Sequence, residues 1–310
     1  MHRFLIKRTI GAILVLLLTS FFTFELLYLA PGDPAAVIAL QKMGRIPDAN
    51  ETARFAAEYG LDRPIIFQYV DWLKGVVQGD FGDSIQTGKP VVQELQTRFL
   101  PTFTLASATA LFTLMIGIPI GFLTAIRSDS FLDHFSRIFG LIGVSIPDFW
   151  LAFLLIMFFS VQLRWLPTYG WDSPVNLIMP ALSLGVANAA RLSRLTRSCL
   201  LEVKFQDYLR TARAKGVSEG WVWVRHALPN VALPLVTLMV NQFSAIVVGS
   251  VVIETLFALP GMGQFYVVAV RYNDIPVIQA TILLISFSFV LINLLTDIAY
   301  ALLDPRICLE

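Results

Sequence analysis

Six stretches of this chain are each long and apolar enough to cross a bilayer, and that pattern removes most folds from consideration. A hydrocarbon core of roughly 30 Å takes about 20 mostly apolar residues as helix. The stretches run from about Thr9 to Ala30, Leu100 to Ile126, Ile138 to Leu163, Leu177 to Leu195, Val231 to Leu256 and Val277 to Leu303. By length alone, 310 residues suggest two soluble domains. The recurrence of apolar runs overrides that and predicts one polytopic, all-α membrane domain. Composition agrees: 56% of residues are hydrophobic and 15% charged, against roughly a quarter charged in soluble domains, and mean hydropathy is +0.70.

The first stretch follows Arg3, Lys7 and Arg8, as a signal peptide would. Its apolar run is longer than a typical signal core and no A-x-A site precedes Pro31, so a retained anchor is expected. Basic residues set the orientation. The start, the Arg127–Arg137 loop, the Arg191–Arg225 stretch and Arg306 together hold 14 of the 23 Lys/Arg. The positive-inside rule puts these alternate segments, and both termini, in the cytoplasm. Segment 31–98 then lies outside. It opens on the turn cluster Pro31-Gly32-Asp33-Pro34, and its pattern predicts a polar helix over Ala49–Tyr59 and an amphipathic one over Pro64–Val77 with Phe67, Tyr69, Trp72 and Val76. Trp72 and Phe81 are expected to tie this small cap to the membrane surface, with contact to a partner protein or substrate as the other reading.

Several chemistries are absent from the sequence. Gly88-Lys89 is followed by Pro90 where a phosphate-binding loop needs Ser or Thr for magnesium, and Asp83 replaces its first glycine. Gly261-Met262-Gly263 lacks the third glycine of a dinucleotide loop. No G-x-S-x-G or H-E-x-x-H occurs. Cys199 and Cys308 form no CxxC, and His2, His134 and His226 are far apart, so no zinc site is expected. The chain is not expected to be an enzyme, nor to bind metal, cofactor or nucleic acid.

The informative stretch follows the fourth span: Asp207-Tyr208-Leu209-Arg210-Thr211-Ala212-Arg213-Ala214-Lys215-Gly216, then His226-Ala227-Leu228-Pro229. It predicts a basic helix over 198–215, with Ala212 and Ala214 permitting close approach by another surface. Gly216 ends it in a left-handed turn, and a second short helix spans Glu219 to Ala227. A helix–Gly–helix loop rich in Arg and small residues suits docking into a soluble partner; a solvated loop at the lipid headgroups is the alternative.

This loop resembles the EAA loop of binding-protein-dependent ABC importers, pattern E-A-A-x3-G-x9-I-x-L-P. Ala212, Gly216, Leu228 and Pro229 match it. Arg210, Thr211 and His226 depart from it and match instead the Tyr-x-Arg-Thr-Ala-Arg-Ala-Lys-Gly…His-Ala-Leu variant of the peptide/nickel branch. Resemblance to that branch, and to its B-type dipeptide and oligopeptide permeases, extends over nearly the whole chain. It is carried by Pro31-Gly32-Asp33-Pro34, Gly79-Asp80-Phe81-Gly82-Asp83-Ser84, Leu166-Pro167-Thr168, Glu254-Thr255-Leu256-Phe257, Tyr272-Asn273-Asp274 and Asp304-Pro305-Arg306.

The resemblance implies a six-span type I importer permease with a small extracytoplasmic subdomain after span one. It implies a heterodimer with a second permease, two cytoplasmic ATPases that bind ATP and Mg, and an external solute-binding protein. The loop from Asp207 to Pro229 would couple to the ATPases, Arg213 and Lys215 included. Short peptides, glutathione-like ones among them, are the expected cargo, with nickel or a metal chelate as the alternative. The domain plan is 1–30 for the N-terminus and first span, 31–98 outside, 99–303 for the permease core with its loop at about 198–229, and 304–310 for a cytoplasmic tail.

Inside the membrane, charges are expensive and point to function. Asp148, just after Pro147 near the middle of span three, either lines the substrate path or satisfies backbone groups freed by the proline. Glu254 serves as a gate contact or as a cap for the following turn. Arg191, Arg194 and Arg197 are expected to snorkel to inner headgroups. Gly117 and Gly121 form a small-xxx-small pair that predicts close helix packing. An ion-driven secondary transporter would show paired broken helices and acids in both halves; a scaffold would not need kinked spans.

Overall fold

The computed structural model describes residues 2–29 and 33–303. Pro31-Gly32 and the tail motif Asp304-Pro305-Arg306 lie outside the described residues. Among the described residues, five helical stretches are long and apolar enough to cross a membrane, and a bent pair, Phe131–Ser145 with Asp148–Gln162, brings the number to six if it counts as one span. Among the described residues, extended backbone pairs in one isolated antiparallel bridge between Asp83 and Pro90.

The chain divides into two compact units. The first comprises the chain to Pro101 and Pro260–Leu294. It holds α1 (His2–Leu29), α2 (Pro34–Met43), α3 (Ala49–Glu58), α4 (Ile65–Val77) and the opening turns of α5 (Val91–Ile126). α13 (Met262–Arg271) and most of α14 (Ile275–Leu303) complete it. Local chemistry explains the short helices. Asp33 accepts the Ala35 N–H at 2.9 Å with Pro34 in the first turn, and Gly44 closes α2 at φ +67°. Asp48 and Glu51 cap α3 reciprocally. Both helices expected in the 31–98 segment are present. Its last eight residues belong to α5, which runs unbroken from Val91 into the second span.

Trp72 and Phe81 both make contacts within this unit. Trp72 and Tyr69 on α4 pack on Phe24 of α1, ring centroids 5.5 and 5.6 Å apart. Phe81 packs on a core of Val91, Leu95, Phe265, Ala269, Val277 and Ile278. Trp72 and Phe81 are half-buried by these contacts, while Phe67 stays 59% exposed. A buried carboxylate secures the same unit. Asp274 accepts the Ser84 hydroxyl at 2.6 Å and the N–H groups of Ile85 and Gln86 at 3.2 Å each. Two motifs of the family resemblance are thereby fastened to each other.

The second unit comprises Thr102–Leu259 with residues 295–303. It contains the rest of α5, α6 (Phe131–Ser145), α7 (Asp148–Leu155), α8 (Ile178–Val203), α9 (Asp207–Ala214), α10 (Glu219–Trp221), α11 (Ala232–Gly249) and α12 (Val251–Leu256). Gly117 and Gly121 do bring two helices together. A Cβ at Gly121 would lie 2.5 Å from the Ser193 carbonyl oxygen, and one at Gly117 2.9 Å from Leu192 Cβ.

Two of the six expected spans are broken. The third bends by 101° between α6 and α7. Ile146, the residue before Pro147, is held extended at φ −82°, ψ 125°, because the proline ring crowds helical backbone in its predecessor. Asp148 is therefore the first residue of a new helix. The fifth span breaks at Ser250 (φ −74°, ψ 4°).

Candidate functional site

The loop after α8 is a wedge with one face committed to this chain. The helix expected over 198–215 is two helices, with a turn at 204–206. Helical geometry explains the break: at 100° per residue, a straight helix would put Leu209 on the face opposite Leu200. The turn lets both become fully buried in one cluster with Leu192, Ala212, Val222, Trp223 and Ala227. Gly216 adopts φ +80° as expected, and Val217 N–H reaches the Ala212 carbonyl at 3.3 Å, closing α9 in a Schellman arrangement. Arg213 pins the turn at its half-exposed edge, donating to Glu219 Oε1 at 2.7 Å and to the Lys204 carbonyl at 3.3 Å.

Ala212 is thus the correction to the expected docking face. It is 7% exposed and packs inward. The bare face carries Asp207, Tyr208, Arg210, Thr211, Ala214 and Lys215, all exposed, flanked by Phe205 and Trp221 at 77% and 60% exposure. Arg210 and Asp207 lie 3.9 Å apart in solvent, a separation worth little at an exposed site. The expected second helix is one α turn continued by a π segment, Val222–Ala227. The carbonyl of half-buried His226 accepts from Asn230 Nδ2, and Leu228 and Pro229 begin the short turn that feeds α11.

A second feature lies at the start of α7. A cleft of about 300 Å³ is lined by Asp148, Asn188, Arg191, Asn241 and Gln242 with apolar neighbours from α8 and α11. Asp148 is exposed. Sequence reasoning found Asp148 and missed the three amides, although Asn241-Gln242 interrupts an otherwise apolar span and was the available signal.

The basic stripe on α8 does not snorkel as a set. Arg197 makes a two-pronged bond to fully buried Asp133 at 2.7 and 2.8 Å, and Arg191 donates to Asn188 Oδ1 at 3.1 Å. Glu254 is fully buried, and its Oε1 accepts from the Thr102 and Ser250 hydroxyls at 2.7 Å each. Its carbonyl accepts the Leu259 N–H at 2.8 Å. A carboxylate enclosed this way braces α12 and the following turn.

Residues 117–308 match the family described as binding-protein-dependent transport system inner membrane component, and residues 1–106 match the corresponding N-terminal region. The chain is 42% identical over 307 residues to the glutathione transport system permease protein GsiC of Salmonella typhimurium, over 99% of both chains. The same figures hold for the protein of that name from Escherichia coli strain K12. In fold it is similar to an inward-facing methionine ABC transporter, MetNI, with a TM-score of 0.56 at 20% identity, covering 68% of this chain and 96% of that one. The chain therefore belongs to the family of binding-protein-dependent transport system inner membrane components and is a multi-pass inner-membrane permease of the ABC importer type.

Proposed function

We propose that this permease imports short peptides, glutathione-like ones included, as one half of a heterodimer served by an external binding protein and two cytoplasmic ATPases. The observation that carries the cargo is full-length similarity at 42% identity to proteins named for glutathione transport. ATP and Mg belong to the ATPases, and both termini face the cytoplasm. The loop from Asp207 to Pro229 is the mechanical link. Its inner face is buried in the core while Tyr208, Arg210, Thr211, Ala214 and Lys215 stand free, so force applied to α9 passes to α8 and α11. Closure of the ATPases would rock these spans and alternate access to a central path beside Asp148.

Uptake tests the cargo. Proteoliposomes holding the whole complex should accumulate labelled glutathione or a tripeptide when ATP and loaded binding protein are present. Accumulation of nickel without peptide would overturn the cargo and leave the permease intact. For the link, Ala214→Glu with Tyr208→Ala on the bare face should abolish co-purification with the ATPases, or uncouple their hydrolysis, while insertion stays normal. Wild-type coupling in that variant would remove the loop from the mechanism.

A further inference from the structure

Three helices of the second unit bring charges of both signs to one cleft. Asp148 opens α7, Asn188 and Arg191 sit about a turn apart on α8, and Asn241 and Gln242 lie midway along α11. The hydrogen bonds around them leave specific groups over. Asn188 donates its amide to the Leu184 carbonyl at 2.9 Å and accepts from Arg191 at 3.1 Å, which holds the guanidinium at the cleft. Gln242 donates to the Asn188 carbonyl at 3.3 Å. Its Oε1 is buried without a hydrogen-bond partner, on a side chain only 8% exposed. The Asp148 carboxylate makes no hydrogen bond or ion pair among the described residues.

Ionised groups at membrane depth do not face lipid; they face water, protein or a solute path. Buried acceptors are nearly always paired, so an orphaned one in a cleft wall points to something that fills the cleft. An acid, a guanidinium and an amide acceptor in one cleft of about 300 Å³ match a molecule with a cationic end, an anionic end and peptide N–H groups between.

We propose that this cleft is the permease's half of a transient binding site for a zwitterionic peptide. Arg191 receives the carboxylate, Asp148 the ammonium group, and Gln242 Oε1 a peptide N–H. The assignment rests on the peptide reading above and adds the recognition chemistry within the membrane. Asp148 and Arg191 are both exposed to the cleft, where water keeps each contact weak enough for the solute to leave.

The test uses the full complex in proteoliposomes, with saturating binding protein loaded with a labelled tripeptide, its N-acetylated form or its C-amidated form. Asp148→Asn should lower the free tripeptide delivered per ATP hydrolysed by about tenfold, the loss of one charge-assisted contact. It should leave delivery of the acetylated form at its wild-type level. Arg191→Gln should show the same pattern with the amidated form. Subunit association and stimulated ATP hydrolysis should stay within about twofold of wild type. Equal loss of all three peptides, or loss of none, overturns the assignment. A measurement on the unmutated complex covers the case of a variant that fails to assemble. A diazirine-bearing tripeptide should label residues 148, 188–191 or 241–242, and labelling confined to other places overturns the proposal. Failure of the wild-type complex to carry any peptide would remove the cargo reading itself, and it shows before any variant is made.

Discussion

Adding one methyl at Gly121 tests the helix contact on which the second unit is built. An alanine Cβ there would sit 2.5 Å from the Ser193 carbonyl oxygen and 2.6 Å from Thr196 Cβ, where ordinary contact begins at 3.4 Å. Neither neighbour is the loose end of a long side chain, so α5 and α8 must part locally by about 0.9 Å. Overpacking of this kind costs about 1–3 kcal/mol. Replacing a helical glycine with alanine also contributes a stabilising term of about 1 kcal/mol, which would blur a single measurement. Gly140→Ala on α6 removes the ambiguity. Its Cβ would meet Ala190 Cβ at 3.8 Å, an ordinary contact, so it keeps the propensity gain without the clash. The two variants should therefore differ by about 1–3 kcal/mol, the overpacking cost alone. Heating the detergent-solubilised protein at a fixed rate and following its loss of monodispersity by fluorescence-detected size exclusion would read this. The comparison is kinetic, since such unfolding is usually irreversible. Gly121→Ala should fail several degrees below Gly140→Ala. Equal midpoints, or a higher one for Gly121→Ala, would refute the close approach of the two helices.

Three further outcomes are expected. Asp133→Ala should destabilise the protein by about 2–4 kcal/mol, because Arg197, only 22% exposed, loses its partner; the double variant Asp133→Leu with Arg197→Met should melt higher than the single one. Gly216→Val meets no atom within 4 Å, so its cost is the left-handed backbone alone, about 1–2 kcal/mol; hydrogen exchange in α9 should speed by roughly tenfold while the rest of the chain is unchanged, and unaltered exchange would count against a strained turn. Cysteine at Asn50 should react with an impermeant reagent from outside and cysteine at Glu219 should not; the reverse labelling would invert the topology.

Much of the fold can be read along one dimension. Span lengths and the positive φ at Gly216 each depend on a few adjacent residues or on a running average, so pattern alone specifies them. Breaks were harder to locate. Pro147 announces a disturbance but not a 101° bend, and the turn after Val203 follows from burial of Leu200 and Leu209 in one cluster, which local propensity does not encode. The site divides in the same way. The loop residues were identifiable by type and spacing, whereas the direction each one faces was not: Ala212 and Ala214 differ by two positions and by which side of α9 meets the core.

Sequence by itself determined that the chain crosses a membrane repeatedly, that its helices approach at Gly117 and Gly121, and that a basic helix–Gly–helix loop follows the fourth span. Tertiary structure decided which charges meet. Asp133 reaches Arg197 across 64 positions and Asp274 reaches Ser84 across 190, and Asp148, Arg191 and Gln242 share a cleft although they come from three helices. A charge in a nonpolar bundle is stabilised by whichever opposite charge or donor the packing brings within about 3 Å, and that distance is set by how helices bend and cross.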